Sequence, residues 1–294
     1  MKKIFITSLA ILIPLVSWGG DICTRGVDEY TTDKRCYVTE KQKNEKPYNA
    51  VVVVMRDGAV EGGDCTGTIV NDKDGKAYLY TAKHCTDLND DGRSDISLNI
   101  KTPTGLKLQV TKSKVGNLDI KTKQNLSGDW AIYSFGFSND ILPGVNTSSF
   151  SGGGYQSVRV IGYGRLKIMS NKEIDAFRQK YITYLKSRGV EISRKNRNTY
   201  GMDAYSISAG NHNVIKFIDQ LDPAYRDNIF NDTKLKESKC VYYGQNRMRE
   251  CQVWNGNSGG GIFDKQGNII GIVSYGSNVI GGIHHAELTG NVGL

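Results

Sequence analysis

Gly256-Asn257-Ser258-Gly259-Gly260-Gly261 sets one serine among glycines, and the rest of the 294-residue chain takes its meaning from that stretch. Glycine reaches backbone conformations that a side chain forbids. A turn of this composition leaves the serine hydroxyl uncovered and aims backbone N–H groups at one small volume. Acyl transfer asks for such an arrangement, a nucleophile beside preorganised donors for a developing oxyanion. By itself the stretch is an ordinary glycine-rich loop; a histidine and a carboxylate would give it a purpose. Thr81-Ala82-Lys83-His84-Cys85 closes an apolar run and puts His84 at a strand end, and Gly128-Asp129-Trp130-Ala131-Ile132 opens another with Asp129. Taken singly, His84 reads as a satisfied surface or core residue and Asp129 as a turn cap. In the order His, Asp, Ser they suit a relay in which the imidazole takes the serine proton and the aspartate fixes its tautomer.

The texture around these residues is that of short strands. From Tyr48 onward β-type runs recur at Ala50–Met55, Thr66–Val70, Ala77–Thr81, Ile96–Ile100, Leu106–Val110 and Asp129–Phe135. Turn pairs separate them at Asp57-Gly58, Asp74-Gly75 and Ser127-Gly128, which predicts an antiparallel barrel or sandwich. After a Ser/Gly-rich bridge over Pro143–Gly154, strands resume at Ser157–Tyr163 and again at Val241–Tyr243, Gly261–Phe263 and Ile269–Tyr275. Between them the period changes. Ser170-Asn171-Lys172-Glu173 reads as a capping box, followed by Ile174, Phe177, Tyr181, Tyr184 and Leu185 at helical spacing and Gly189 as a stop. A second helical group (Val214 to Leu221) and a third start at Asp222-Pro223 extend this into a helical insertion over about 166–239.

The ordered motifs resemble those of the chymotrypsin-like serine peptidases, of secreted bacterial type. Thr81–Cys85 is similar to the family's Thr-Ala-Ala-His-Cys with Lys83 for the second alanine, and Asp129-Trp130-Ala131 to its Asp-Ile-Ala. Cys65-Thr66-Gly67-Thr68-Ile69-Val70 resembles the strand that carries the partner of the histidine-loop cysteine. Gly162-Tyr163-Gly164 resembles the family's Gly-Trp-Gly, and Gly271-Ile272-Val273-Ser274-Tyr275-Gly276-Ser277 its Gly-Ile-Val-Ser-Trp-Gly-Ser. The resemblance implies an all-β fold of two antiparallel six-stranded barrels, a first over 48–145 and a second over 146–294 interrupted by the insertion. It implies a serine endopeptidase acting through an acyl-enzyme intermediate on protein or peptide substrates, without a cofactor for catalysis. His84 is then general base and acid, Asp129 its orienter and Ser258 the nucleophile, with the N–H groups of Gly256 and Ser258 as oxyanion hole. A catalytically silent binding protein or adhesin of the same fold is the rival expectation.

The sequence departs from animal trypsins in two linked ways: Asn257 replaces the aspartate that pairs with a new N-terminus, and no Ile-Val-Gly-Gly precedes Tyr48. Gly261 stands for the usual proline. Gln252, Val253, Trp254 and Asn255, with Ser274, Tyr275 and Gly276, are the candidate substrate-binding residues. Gln252 offers no charge to Lys or Arg, and Val273 stands where glutamyl endopeptidases carry a histidine, so a neutral or medium apolar side chain is expected in the pocket.

Residues 1–19 have the layout of a secretory signal: Lys2 and Lys3, an apolar run over Ile4–Val16, then Ser17-Trp18-Gly19. A secreted or periplasmic product without a membrane anchor is expected, followed by an N-terminal extension over 20–47. The net charge of +8 is not gathered into a basic block and points to no nucleic-acid partner. All six cysteines follow the signal, and their clustering favours Cys23–Cys36, Cys65–Cys85 and Cys240–Cys251 over structural zinc, which lacks any CxxC spacing. Asp87-Leu88-Asn89-Asp90-Asp91-Gly92-Arg93-Ser94-Asp95 has the spacing of a calcium loop, with Asp87, Asn89, Asp91 and Asp95 as candidate ligands but Leu98 where a terminal glutamate belongs. His284 and His285 point to opposite faces of a strand and make no metal pair. The helical insertion borders the cleft in this fold and is expected to restrict substrates or bind a partner.

Overall fold

The computed structural model describes residues 36–55, 65–72, 75–87, 91–122, 124, 128–136, 142–148, 156–165, 232–244, 247–249, 256–278 and 284–289, with scattered positions between 172 and 189. Seven strands form the N-terminal sheet: β1 (Val51–Met55), β2 (Cys65–Asn71), β3 (Ala77–Thr81), β4 (Ser97–Lys101), β5 (Lys107–Val115), β6 (Ala131–Phe135) and β7 (Val145–Asn146). Their order is β1-β4-β5-β6-β3-β2-β7. β1 also pairs antiparallel with β2, Val51 opposite Thr68, so hydrogen bonding passes through six strands and returns to its first member. β7 departs from the all-antiparallel expectation, lying parallel to β2 with Val70 opposite Val145. It falls in the stretch expected to be a bridge.

Six further strands close into a barrel: β8 (Gln156–Gly162), β9 (Lys236–Gly244), β10 (Arg247–Arg249), β11 (Gly261–Phe263), β12 (Ile269–Asn278) and β13 (His284–Thr289), in the order β10-β13-β12-β11-β8-β9. The main correction to the expected boundaries lies here. β9 begins at Lys236, so the insertion cannot run to 239. Lys234-Leu235-Lys236-Glu237-Ser238-Lys239 falls within the expected helical insertion, yet β8 pairs along it from Gly162 opposite Lys236 to Gln156 opposite Tyr242. Within the expected insertion, Lys172, Ala176, Gln179, Lys180, Ile182, Thr183, Lys186 and Ser187 have helical backbone. Gly189 takes φ 75° with its N–H on Lys186 O, a conformation suited to a helix stop. The other expected helices lie outside the described residues, as do the signal segment and Cys23.

Burial explains why these runs are strands. β-branched residues suit a pleated, packed surface, and the Val51–Val54 run is buried except for the half-buried Val53. β2 is buried on both faces over Cys65–Val70, where Gly67 leaves room for Leu79: a Cβ there would sit 2.6 Å from Leu79 Cδ1. The larger core joins the two halves, since Ile161, Tyr163, Leu235, Phe263, Ile269 and Ile272 cluster with Val52, Ile69, Leu79 and Tyr133 of the first sheet. A smaller cluster of Val158, Val160, Cys240, Tyr242, Ile262, Ile270 and Val273 belongs to the barrel. Cys36 and Val38 are buried, and Val38 N–H donates to Leu235 O at 3.0 Å, so this part of the expected extension is packed against the body of the fold. Among the described residues no helix is long and apolar enough to cross a membrane.

Candidate active site

His84 sits in a 3-10 turn over Lys83–Thr86, directly after β3. The turn is held at both ends. Cys85 is bonded to Cys65 at the start of β2, as expected, and Cys85 N–H donates to Ala82 O at 3.1 Å. Lys83 Nζ reaches Gly116 O (2.9 Å) and Leu118 O (2.7 Å). Those residues brace the segment leading into β6, because Gly116 N–H donates to Trp130 O and Leu118 N–H to Gly128 O. Lys83 thereby ties the histidine turn to the aspartate segment, a role that its place in the sequence did not suggest.

Asp129 is fully buried. Its Oδ1 accepts His84 N–H at 3.0 Å, its Oδ2 lies 2.8 Å from His84 Nδ1, and the Ser274 hydroxyl also donates to Oδ2. Burial pushes the Asp129 carboxyl pKa up, but the hydrogen bonds and charge of His84 and the Ser274 hydroxyl outweigh it, so the net shift is downward. An ionised acceptor at that position keeps the ring proton on Nδ1, leaving the lone pair on Nε2.

Ser258 stands on the turn before β11. Gly256 and Gly259 take φ 98° and φ 79°, and neither has room for a side chain. A Cβ on Gly256 would lie 2.5 Å from Tyr163 O, and one on Gly259 would collide with Thr66 O and Thr81 Oγ1. Ser258 Oγ donates to Ser274 O at 3.3 Å, so Ser274 touches the serine through its carbonyl and Asp129 through its hydroxyl. Asn257 is 3% exposed, and its amide lies close against Gly162 and Gly164: a Cβ on either would come within 2.6 Å of Oδ1 or 2.8 Å of Nδ2. The fold thus brings His84, Asp129, Ser258, Gly256 and Ser274 together at the junction of the first sheet and the barrel. Ser274, expected to bind substrate, also holds the carboxylate. In the sequence it is one of several polar positions in β12, with Tyr275, Ser277 and Asn278, and nothing local sets it apart.

Gln252, Val253, Trp254 and Asn255 lie outside the described residues. Tyr275 and Gly276 are on β12, where the register against β13 shifts between Val273 and Gly276. Cys36 and Cys240 are each disulfide-bonded, and their expected partners Cys23 and Cys251 lie outside the described residues. In the expected calcium loop, Asp87 Oδ1 accepts Asp91 N–H at 2.9 Å and Oδ2 accepts Gly92 N–H at 2.8 Å, while Asp91 Oδ1 accepts Arg93 N–H. The two carboxylates act there as turn caps, and Asn89 is not among the described residues. Cys65, His84 and Cys85 group their ligand atoms, but the two sulfurs are bonded to each other and offer no thiolate.

Comparison with known proteins places residues 28–132 in the match to the lysyl endopeptidase C-terminal domain family. No curated protein matches the chain. Similar solved structures include a Glu endopeptidase, 13% identical, covering 86% of this chain and 90% of that one at a TM-score of 0.48. A serine endoprotease from Yersinia pestis is 16% identical, covering 86% of this chain and 63% of that one at 0.45. The protease Anisep from Arthrobacter nicotinovorans is 14% identical, covering 84% and 93% at 0.46. The family match takes in His84 and Asp129 and ends at residue 132.

Proposed function

We propose that the chain is an exported serine endopeptidase with a His84–Asp129–Ser258 triad. Two six-stranded barrels would carry it, the first made by β1 to β6 and the second by β8 to β13, with residues 1–19 removed as a signal. The observation that carries the reading is Ser274, which faces Ser258 Oγ with its carbonyl and Asp129 with its hydroxyl while Asp129 grips His84. Ser258 Oγ attacks the scissile carbonyl carbon as its proton passes to His84 Nε2. The oxyanion is met by the N–H groups of Gly256 and Ser258. His84 then returns the proton to the leaving amine, an acyl-enzyme forms, and water attacks it by the same relay in reverse roles. No step needs a metal or cofactor.

The matching family's name concerns lysine, but its match ends at 132, before the 251–276 segment expected to line the pocket. Cleavage preference therefore rests on Gln252, which brings no charge, and a neutral residue remains the proposal. Fluorophosphonate labelling of the folded protein tests the function. Wild type should label at Ser258 and the Ser258→Ala variant should not. A folded wild type that fails to label would leave a silent member of the fold, and the reading would be abandoned.

A further inference from the structure

Thr66 in β2 is fully buried, and every polar atom it carries is engaged. Its hydroxyl donates to Gly256 O at 2.6 Å and accepts Tyr163 N–H at 2.9 Å. Its own N–H donates to Ser258 O at 2.8 Å, and its carbonyl accepts the Thr81 hydroxyl at 2.8 Å. One residue of the first sheet therefore holds the carbonyls on both sides of Asn257.

A trans peptide unit is planar, with C=O and the following N–H pointing opposite ways. Fixing a carbonyl thus fixes the next amide. Ser258 O turned toward Thr66 sends Gly259 N–H the other way, where it meets Val273 O at 2.7 Å. Asn257 O accepts Gly260 N–H at 2.8 Å, which directs Ser258 N–H away from the body of the turn. Gly256, at φ 98°, could rotate most freely, and its carbonyl is the one the threonine hydroxyl restrains; with Ser258 O held as well, the Asn257–Ser258 peptide unit that carries the Ser258 N–H is fixed from both sides. Tyr163 N–H on the same hydroxyl adds the barrel side, so three separate segments meet at one oxygen.

We propose that Thr66 is a positioning residue that holds the Gly256–Ser258 turn with its N–H groups presented to the oxyanion. This rests on the proposed endopeptidase function and deepens it. Thr66 touches no substrate; it keeps a glycine-rich segment from relaxing into forms in which those donors diverge. Because the restraint is uncharged, it is in place across the pH range in which His84 works.

Thr66→Val, which keeps the shape and removes the hydroxyl, and Thr66→Ser, which keeps the hydroxyl, separate positioning from packing. Each is taken through steady-state kinetics on a peptide substrate, fluorophosphonate labelling and thermal melting. Valine should lower kcat by ~10²-fold, the scale of a misplaced oxyanion donor, with KM within about twofold and labelling slowed in parallel. Serine should restore kcat to within about threefold of wild type, and the acid limb of the pH profile should stay where it is, since His84 keeps Asp129. A folded valine variant with kcat within about threefold of wild type overturns the inference, and so does a serine variant as slow as valine. If valine prevents folding, Thr66→Ala is judged by the same outcomes. Failure of wild type to label would instead remove the endopeptidase reading itself.

Discussion

Asp129 and Asp232 are both withdrawn from water, with side chains 0% and 7% exposed, and the groups around them differ in kind. Asp129 is held by donors that carry no permanent charge: the His84 amide, the His84 ring and the Ser274 hydroxyl. Asp232 faces the Lys236 side chain. Its Oδ2 accepts the Tyr37 hydroxyl at 2.5 Å and lies 3.3 Å from Lys236 Nζ, while Oδ1 accepts Lys234 N–H at 3.0 Å. Lys236 is 2% exposed and satisfies its other donors on Gly164 O (2.6 Å) and Lys234 O (3.1 Å). The Asp232 charge is cancelled by an ammonium held in place by the fold, and the cluster pins residues 37 and 164 to β9. In the proposed relay the Asp129 charge would meet a cation only when His84 takes a proton. A buried carboxylate becomes useful to chemistry when its counter-charge can come and go.

The widest separation should come from asparagine at each position. Asp129→Asn should lower kcat by ~10⁴-fold, because an amide facing Nδ1 no longer enforces the working tautomer, with a comparatively small change in melting temperature. Asp232→Asn should do the reverse, costing ~3–5 kcal/mol of unfolding free energy by stranding a buried ammonium, with kcat of the folded fraction close to wild type. Urea unfolding beside steady-state kinetics reads both. Equal losses of activity at unchanged stability would erase the distinction.

A smaller effect sharpens it. Lys236→Met alone strands Asp232, but combined with Asp232→Asn it leaves no unpaired charge. The double variant should be more stable than the sum of the single losses predicts, by ~2 kcal/mol of coupling in a double-mutant cycle. An additive result would mean that the two groups do not stabilise each other.

The most diagnostic effect is in pH. Burial pushes the Lys236 pKa down from 10.5 to about 8, against the pull of Asp232. The folded value lies below the unfolded one, so between about pH 8 and 10.5 the unfolded chain binds the extra proton, and this group's contribution to stability rises with pH by up to ~3 kcal/mol. Asp129 acts at the acid end. Its folded pKa is lowered, so its contribution is present above the unfolded value and is lost as pH falls through the folded one. Stability measured against pH should lose its alkaline rise in Lys236→Met and part of its acid fall in Asp129→Asn. Unchanged profiles in both variants would contradict the assignment.

What could be read from the chain alone was local. Glycines around Ser258 announce a turn by composition, and His84 and Asp129 sit at strand ends that apolar runs make visible. The Cys65–Cys85 bond follows from clustering. Thr66, Lys83 and Lys236 escaped because nothing near them in sequence marks their partners: Thr66 meets Gly256 190 positions away, and Lys236 meets Gly164 across 72. Lys236 is the sharper case, since it lies in a charged run expected to belong to the helical insertion, and only tertiary pairing reveals it as an interior strand residue. β7 was hidden for a related reason, being two residues long and stabilised by a neighbour already in place.

The fit of Gly259 against Thr66 and Thr81 also bears on when the candidate site is assembled. The bonds that assemble the site span long separations, 190 residues for Thr66 to Gly256 and 145 for Ser274 to Asp129. Contacts of that reach require most of the chain to be in place and form late in folding. His84 and Asp129, 45 residues apart, can meet earlier without a nucleophile beside them. If the chain is the exported endopeptidase proposed above, hydrolytic competence would belong to the last stage of folding, and a partly made or partly translocated chain would have no assembled site with which to cut its surroundings.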